Sequence, residues 1–240
     1  MDSFLTGKQV LVTGGSRGIG YAVAASLLRA GAGVAICART AESVERAVAA
    51  LRAETDGRVC GTPCDVGNDK EVHELFQFVD RELGGLDILV NNAGVGIFRP
   101  VGEMSVAEWR QTIDTNLTGA FLCTREALGR FRIRGGGFVI NISSLAGKNP
   151  FPGGAAYNAS KFGMNGFSEA LMMDHRYDNV RVSYIMPGSV ATDFRPGTAG
   201  AEADWKIAPE DVAEIILMIL RMPARTLVSR VEVRPSQPKK

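Results

Sequence analysis

The stretch that decides the fold lies near the start of the chain and reads Lys8-Gln-Val-Leu-Val-Thr-Gly-Gly-Ser-Arg-Gly-Ile-Gly20. Its apolar part, Lys8–Thr13, predicts a buried strand, and a helical stretch, Ile19–Ala30, follows the glycines. A glycine-rich turn between a strand and a helix can bind the phosphates of a dinucleotide, because the helix N-terminus offers free amide groups and a partial positive charge. The segment therefore predicts a nucleotide-binding βα unit, although an ordinary strand-to-helix turn has the same spacing.

The glycines of this loop have separable roles. Gly14 permits the tight turn, Gly18 allows the backbone to approach a pyrophosphate, and Gly20 allows the helix to pack closely on the strand. The loop residues expected to bind the cofactor are Gly14, Ser16, Arg17, Gly18, Ile19 and Gly20.

Apolar strands alternate with helical stretches along the rest of the chain. The other predicted strands are Gly33–Ala38, Val59–Cys64, Leu86–Val90, Gly137–Ile142, Val180–Ile185 and Thr226–Val233. The other predicted helices are Ala41–Glu54, Asp69–Leu83, Trp109–Phe131, Ala155–Tyr177 and Pro209–Leu220. This alternation is typical of an α/β protein, so we expect a single doubly wound Rossmann domain over residues 1–240, with a parallel sheet of about seven strands covered by helices on both faces.

Composition excludes several classes of protein. The 240 residues are 45% hydrophobic and 22% charged, with a net charge of +1. This balance suits one substantial domain and gives no general attraction to nucleic acid or to anionic membranes. We find no apolar run of about 18 residues and no secretory signal at the start, so we expect a cytoplasmic protein with neither nucleic acid nor membrane as a partner.

Four cysteines raise the question of a metal site. Cys60 and Cys64 could form half of one, but neither of the two histidines, His73 and His175, has ligand spacing. The alternative is that the cysteines are small buried hydrophobic residues in a reducing compartment, and we expect no metal.

Tyr157 and Lys161 are the strongest candidates for catalysis. Residues four apart share one face of a helix, and an ammonium beside a phenol favours the phenolate and so lowers the pKa of the tyrosine. A tyrosine adjusted in this way can exchange protons near neutral pH. Ser144, thirteen residues before Tyr157, could hold a carbonyl oxygen while a cofactor delivers hydride.

The end of the second predicted strand bears on which cofactor is used. A carboxylate there would hold the ribose 2′-hydroxyl of NAD, but the chain has no acidic residue between the start of this strand and Glu42. Arg39 stands at this position and Arg17 lies in the glycine loop, and both could pair with a 2′-phosphate. We therefore expect NADP (NADPH); the alternative is that Arg39 is a solvated surface residue.

Taken together, these residues resemble the short-chain dehydrogenase/reductase family, over nearly the whole chain from Thr13 to Thr192. The matching motifs are Thr13–Gly20, Asp65, Asn91-Asn92-Ala93-Gly94, Asn116, Ser144, Tyr157 with Lys161, Pro187-Gly188 and Thr192. The resemblance implies a Rossmann fold and hydride exchange between a nicotinamide and a carbonyl or secondary alcohol.

The resemblance also implies a role for each matched position. Asp65 and Val66 hold the adenine ring. Asn91, Asn92, Ala93 and Gly94 line the cofactor groove and stabilise the central sheet. Pro187, Gly188, Val190 and Thr192 cover the nicotinamide and its phosphate. Tyr157 is the acid in reduction and the base in oxidation, while Lys161 lowers the pKa of the tyrosine and holds the nicotinamide ribose. Ser144 positions the substrate oxygen, and Asn116 anchors a water that links Lys161 to solvent.

Ser143 competes with Ser144 for the site. Adjacent residues of a strand point to opposite faces, so we expect only one of the two to face the substrate, and the spacing of the family selects Ser144.

Mostly apolar residues surround the expected pocket, which favours a carbonyl on an apolar or moderately polar small molecule. They are Val95, Gly96, Ile97, Phe98, Leu145, Phe151, Met186, Val190 and Phe194. Residues 192–209, including Phe194, Arg195, Gly197, Gly200 and Trp205, are expected to form a substrate lid.

Two alternatives remain open at the level of sequence. The pattern is similar to that of 3-oxoacyl-acyl-carrier-protein reductases and of carbonyl reductases, and Arg130, Arg132 and Arg134 could contact an acidic carrier or simply end a helix. We expect a homo-oligomer. The last residues lack the glycine-rich tail that helps those acyl-carrier reductases to form tetramers, so the sequence leaves both a dimer and a tetramer open. A non-catalytic NADP-binding protein is the other alternative, although all four catalytic positions are present.

Overall fold

Seven parallel strands form one sheet in the computed structural model, which describes residues 3–192, 194 and 204–238. The strands are β1 (Gln9–Thr13), β2 (Gly33–Ala38), β3 (Val59–Pro63), β4 (Ile88–Asn91), β5 (Gly137–Ile142), β6 (Val180–Pro187) and β7 (Arg230–Val233). The helices are α1 (Gly18–Arg29), α2 (Ala41–Glu54), α3 (Asp69–Leu83), α4 (Val106–Ile113), α5 (Gly119–Arg134), α6 (Ala155–His175) and α7 (Pro209–Arg221). The predicted fold, a doubly wound Rossmann domain, is confirmed.

The strand order β3-β2-β1-β4-β5-β6-β7 determines where a ligand can bind. The chain moves outward from β1 to β3, then returns to the other side of β1 with β4 and continues to β7. The crevice at the carboxyl ends of β1 and β4 is therefore the switch point at which open α/β sheets bind ligands.

Helices cover both faces of the sheet, as the apolar strands require. On one face, α1, α2 and α7 contribute Val23, Leu51 and Ile216 to a continuous apolar cluster. On the other, α3 and α5 contribute Phe76 and Phe131, both fully buried. Because β1, β2, β4, β5 and β6 are packed on both sides, their buried residues run continuously, whereas the edge strand β7 alternates exposed and half-buried residues.

The helix predicted over Trp109–Phe131 is longer than expected and is interrupted. It begins at Val106, because Ser105 accepts a hydrogen bond from the Glu108 amide at 3.2 Å while Glu108 accepts one from the Ser105 amide at 2.9 Å. A wide π turn, Asp114–Thr118, separates α4 from α5. The other boundaries differ by a few residues, the largest change being the last strand, which begins at Arg230 rather than Thr226.

The predicted lid lies mostly outside the described residues, which omit 193 and 195–203 and therefore Arg195, Gly197 and Gly200. At its edges, Val190 and Ile207 form a parallel bridge, and the Ala191 amide donates to the Ile207 carbonyl at 2.9 Å. Among the described residues, none of the helices combines the length and hydrophobicity needed to cross a bilayer.

Candidate active site

The glycine loop packs backbone against backbone at the sheet's carboxyl edge. Gly14 has a φ of +65°, in the left-handed region that favours glycine. A Cβ on Gly14 would lie 2.8 Å from the Cα of Ala93, and one on Gly20 would lie 2.3 Å from the Gly14 carbonyl oxygen. The turn, the start of α1 and the end of β4 can therefore be this close only because these positions lack side chains.

Thr13 fastens the loop to β4, a role that sequence reasoning missed. Its hydroxyl donates to the Val90 carbonyl at 3.3 Å and accepts from the amides of Asn92 and Ala93, both at 3.0 Å. The side-chain amide of Asn92 donates to the carbonyls of Thr13 at 2.9 Å and Gly14 at 3.1 Å. The Asn92 side chain thus holds the loop in shape. The sequence places Thr13 at the end of a strand and at the start of the matched motif, but nothing in it indicates these hydrogen bonds.

The N-terminus of α1 is chemically suited to phosphate. Arg17 occupies the cap position in an extended conformation, and no side chain caps the helix. The first turn also lacks acidic residues, so no carboxylate of this turn competes with an anion for the amide groups. Ser16 is half-buried beside this turn, while the Ile19 side chain packs against the core.

Two arginines flank the crevice where the adenosine end of a dinucleotide would lie. Arg17 and Arg39 are both exposed, and neither forms an ion pair with another described residue. The nearest following carboxylate, Glu42, lies 3.8 Å from Arg46 one helical turn further along α2. Arg17 and Arg39 therefore bring two positive charges to this end of the crevice.

The turn after β3 forms another wall of the crevice. Asp65 Oδ1 accepts from the Gly67 amide at 3.0 Å, and the Asp65 amide donates to Glu71 at 2.8 Å. Val66 is buried against Gly119 at the start of α5. Asp65 and Val66 are thus fixed in a tight turn at the same edge of the sheet as the glycine loop.

The segment after β6 reaches back toward the glycine loop. Pro187 ends the strand, and the Gly188 amide donates to the Val233 carbonyl at 2.8 Å, so β7 holds this turn. Val190 is held by its bridge to Ile207. Thr192 then lies over the loop, with its methyl carbon 3.1 Å from the place a Cβ on Gly18 would occupy.

Asn91 lies inside the sheet rather than in the groove. Its amide nitrogen donates to Asn141 Oδ1 at 2.9 Å and to the Thr124 hydroxyl at 3.1 Å, which joins β4 to β5 and α5. Asn141 in turn donates to the Ser168 hydroxyl on α6 at 2.8 Å. This buried polar chain fits the sheet-stabilising role implied by the resemblance.

Ser144, Tyr157 and Lys161 come together where β5 ends beside α6. The Ser144 hydroxyl forms a hydrogen bond with the Tyr157 phenol and also accepts from the Ala146 amide at 3.1 Å. The Lys161 ammonium lies 5.8 Å from the centre of the Tyr157 ring and donates to the Ile142 carbonyl at 2.9 Å. Lys161 is only 4% exposed, so its charge is almost entirely removed from water.

Burial sets the protonation of this cluster, and it corrects one expectation. The pKa of Tyr157 is raised, not lowered, because desolvation of the phenolate outweighs the hydrogen bond from Ser144. Desolvation also lowers the pKa of Lys161 to about 8. The predicted effect of Lys161 on the tyrosine does not dominate, since the ammonium lies against the ring and bonds to a carbonyl instead of the phenol oxygen.

Asn116 is fully buried in the π turn between α4 and α5. Its Oδ1 accepts from the Val95 amide at 2.7 Å, and its Nδ2 donates to the Val95 carbonyl at 2.9 Å and to the Ser160 hydroxyl at 3.0 Å. Both amide hydrogens are thus committed to protein groups. A water relay at this position would therefore have to use a main-chain group or the remaining lone pair of Oδ1.

Ser143, the competitor of Ser144, is turned away from the cluster. Its hydroxyl donates to Asn165 Oδ1 at 2.6 Å and makes a longer contact of 3.4 Å with the Lys161 carbonyl. The structure therefore brings Ser144, and not Ser143, to the tyrosine, in the arrangement that strand alternation leads us to expect.

An aromatic wall, defined here as Phe98, Phe151 and Phe194, surrounds the Tyr157 ring. Phe98 lies edge-on to Tyr157 with ring centres 5.5 Å apart, and Phe194 lies 5.8 Å from it on a tilted plane. Phe151 packs against Phe98 at 5.7 Å. Phe151 and Phe194 remain 37% and 39% exposed, so their rings present apolar surface to whatever enters beside the tyrosine.

The cysteines behave as buried apolar residues. Cys37, Cys64 and Cys123 lie in the core on the α3 and α5 face, and Cys60 is half-buried. Burial raises the pKa of Cys60 to about 11, which disfavours the thiolate that a metal or an oxidant would need. In the part of the chain that is described, no three His, Cys, Asp or Glu side chains cluster in a way that could hold a metal.

The arginines considered for an acidic carrier are mostly engaged with the protein itself. Arg130 lies 2.7 Å from Asp80 and 2.8 Å from Glu126, and it stacks over the Phe76 ring. Arg134 donates to the Gly84 carbonyl at 3.2 Å. These contacts favour the interpretation that the basic residues close the end of α5.

Comparison with known proteins agrees with the geometry. A family model described as short chain dehydrogenase matches residues 8–202. The chain is 32% identical over 229 residues to a 3alpha-hydroxysteroid dehydrogenase of Mediterraneibacter gnavus, covering 91% of this chain and 92% of that protein. It is 36% identical over 240 residues, or 96% of this chain, to a glycine betaine reductase of Emericella nidulans, of whose length it spans 19%.

Among solved structures, a metagenomic short-chain oxidoreductase in complex with NADP superimposes with a TM-score of 0.85 at 36% identity, covering 98% of this chain and 99% of that one. With a family match over most of its length and a relative covered almost end to end, the chain belongs to the short-chain dehydrogenase/reductase family of oxidoreductases, which interconvert C=O and CH–OH groups.

Proposed function

We propose that this protein uses NADPH to reduce an apolar carbonyl compound, and NADP⁺ to oxidise the corresponding alcohol, with Tyr157 as the acid or base. The observation that carries the proposal is the contact of Ser144, Tyr157 and a buried Lys161 at the same sheet edge as an uncapped glycine loop. A positive charge withdrawn from water beside a phenol is costly, and such perturbed groups concentrate at functional sites.

The crevice fits a dinucleotide. The backbone cradle at Gly14 and Gly20 leaves no room for side chains, and the amides at the start of α1 have no side-chain cap. The residues we assign to the cofactor are Gly14, Ser16, Arg17, Gly18, Ile19, Gly20, Arg39, Asp65, Val66, Asn92, Ala93, Gly94, Tyr157, Lys161, Pro187, Gly188, Val190 and Thr192. Arg17 and Arg39, exposed and without carboxylate partners in the described chain, supply the charge that a 2′-phosphate requires.

NADPH, when bound, supplies the hydride to the carbonyl carbon. The Tyr157 hydroxyl supplies the proton to the carbonyl oxygen, and its raised pKa keeps it protonated at neutral pH, as an acid must be. Ser144, which bonds the phenol, holds the same oxygen. Lys161 stabilises the phenolate that remains, and Asn116 keeps the helix and loop around it in place.

The aromatic wall supports an apolar substrate. A carbonyl oxygen held by Ser144 and Tyr157 would carry its substituents against Phe98 and Phe194, whose rings flank the tyrosine. Flat or bulky apolar groups gain contact area there, whereas a charged group packed against these rings would lose solvation. We also propose a homo-oligomer, since α4, α5 and α6 expose Trp109, Phe121 and Phe162 to 42%, 45% and 46%.

Replacing Tyr157 with phenylalanine tests the proposed acid. Tyr157→Phe removes the hydroxyl but keeps the ring in contact with Phe98, so we expect kcat for ketone reduction to fall by about 10²- to 10⁴-fold. NADPH binding, followed by the coenzyme's fluorescence, should largely survive. Tyr177→Phe, at a position 93% exposed, is the matched control and should leave both measurements unchanged. Full turnover in Tyr157→Phe would refute catalysis by this residue.

Replacing the two arginines tests the choice of coenzyme. Arg17→Ala and Arg39→Ala should each lower kcat/KM with NADPH by roughly 10- to 100-fold, the loss expected for a hydrogen bond to a charged group, while kcat/KM with NADH stays unchanged. Arg46→Ala removes an exposed arginine already paired with Glu42 and serves as the control. A wild-type preference for NADH would contradict the role given to both residues.

Replacing Lys161 tests whether its buried charge is held at the expense of stability. The pKa of Lys161 is lowered from 10.5 to about 8. Between pH 8 and pH 10.5, the folded protein therefore binds fewer protons than the unfolded chain. The free energy of unfolding of the wild type should therefore increase with pH through this window. Relative to that of Lys161→Met, the increase should be on the order of 3 kcal/mol. Urea unfolding of both proteins at pH 7 and pH 10.5 measures the difference.

The control for this experiment is Lys148→Met, which removes a lysine whose side chain is 57% exposed and paired with Glu232. It should keep the wild-type dependence of stability on pH. If the difference between Lys161→Met and the wild type stays constant from pH 7 to pH 10.5, the ammonium is not desolvated as described.

Replacing Phe98 tests the substrate class. Phe98→Ala should lower kcat/KM for an aryl ketone such as acetophenone by about 10-fold through lost ring contact, and should change kcat/KM for acetone much less. Phe78→Ala, a half-buried phenylalanine on α3 that contacts Arg81, is the control. Equal losses for both ketones would mean that Phe98 supports Tyr157 rather than the substrate.

A further inference from the structure

The chain segment that follows β5 and contains Ser144 packs closely against α6. A Cβ on Gly147 would be 2.7 Å from both the Lys161 carbonyl oxygen and Asn165 Nδ2, so only glycine lets the two backbones approach this closely. Ser144 itself begins the short 3₁₀ turn Leu145–Gly147. The position of its hydroxyl therefore depends on how this turn is attached to the helix.

Three side chains on one face of α6 make that attachment. Asn158, Lys161 and Asn165 are spaced three and four residues apart, so they project in the same direction. Lys161 donates to the Ile142 carbonyl at 2.9 Å, before the serine. Asn158 donates to the Ala146 carbonyl at 2.7 Å, after it.

Asn165 holds the segment on both sides of Ser144. Its Oδ1 accepts from the Ser143 hydroxyl at 2.6 Å, and its Nδ2 donates to the Gly147 carbonyl at 2.9 Å. One amide group therefore fixes the residue before Ser144 and the end of the turn that follows it. Both functions of the amide are used, so an isosteric apolar side chain could not replace it.

We propose that Asn158 and Asn165 are positioning residues, which hold the Ser144 turn on α6 and thereby fix the Ser144 hydroxyl at the Tyr157 phenol. Asn158 is 7% exposed, and a buried amide is costly unless its hydrogen bonds are made. Fully satisfied polar contacts of this kind select one arrangement, whereas apolar packing tolerates small shifts. Tyr157 and both asparagines are on the same helix, so the serine is located relative to the tyrosine by a rigid element.

The inference rests on the proposed function, in which Ser144 and Tyr157 share the substrate oxygen. A displacement of about 1 Å at a reacting group can lower a rate by about 100-fold. We therefore expect Asn165→Ala and Asn158→Ala to lower kcat by about 10- to 100-fold, while the Kd for NADPH stays near that of the wild type. The nearby control is Asn149→Ala, since Asn149 is exposed and, among the described residues, its backbone amide donates to the Leu145 carbonyl while its side chain has no hydrogen-bond partner.

The decisive experiment is a double-mutant cycle with Ser144→Ala, assayed with NADPH and an apolar ketone. If the asparagines act through Ser144, adding Asn165→Ala to Ser144→Ala will cause little further loss of kcat. A full additional loss in the Ser144→Ala background would overturn the proposal, because it would show damage independent of the serine. Wild-type kcat in both single asparagine variants would overturn it as well.

The pH profile of alcohol oxidation gives a second readout that a merely structural role would not move. The hydrogen bond from Ser144 lowers the pKa of Tyr157, so loosening it should shift the rising limb of kcat/KM to higher pH. Asn158→Ala, Asn165→Ala and Ser144→Ala should shift the limb in the same direction, and an unshifted limb in the asparagine variants contradicts the proposal. Full activity in Ser144→Ala would contradict the role of Ser144 in the proposed function. That result is distinct from one in which Ser144→Ala loses activity and only the asparagine variants behave like the wild type, which would contradict the positioning role alone.

Discussion

The burial of the Lys161 ammonium is the constraint on which the rest of the site depends. Lys161 is only 4% exposed, so its ammonium loses most of its hydration on folding. The hydrogen bond to the Ile142 carbonyl compensates for only part of this loss. The uncompensated desolvation lowers the pKa of Lys161 to about 8. Such a group persists only where its surroundings are rigid, and here β5, the Ser144 turn and α6 are fastened together around it.

The same rigidity extends to the cofactor side of the crevice. Thr13 and Asn92 connect the end of β1 to the end of β4, while Asn116 connects the residues after β4 to α6 through Val95 and Ser160. The glycine loop and the cluster of Ser144, Tyr157 and Lys161 are therefore connected through short hydrogen bonds between neighbouring elements. In the proposed function, a hydride donor held by the glycine loop would lie against Tyr157 without a large rearrangement of the core.

Much of this could be predicted from the sequence because the signals are local. The glycines of the loop, the strand and helix periods and the i, i+4 spacing of Tyr157 and Lys161 are set by backbone geometry within a few residues. The partners of Thr13 and of Asn165 could not be found in this way, since they lie 77 to 80 and 18 to 22 residues away and carry no local pattern. The raised pKa of Tyr157 escaped prediction for the same reason, because burial is a property of the whole fold.

The π turn at Asp114–Thr118 shows how a local irregularity can serve a distant group. The Gly119 amide donates to the Asp114 carbonyl five residues back, which widens the helix by one residue where Asn116 lies. In this widened turn the side-chain amide of Asn116 is fully buried and accepts a hydrogen bond from the Val95 amide. It also donates to the Ser160 hydroxyl, which in turn donates to the Tyr157 carbonyl. A regular α-helix through this region would shift the register of Asn116 by about 100°. The irregular turn is therefore part of what holds the tyrosine, even though Asn116 does not touch the phenol.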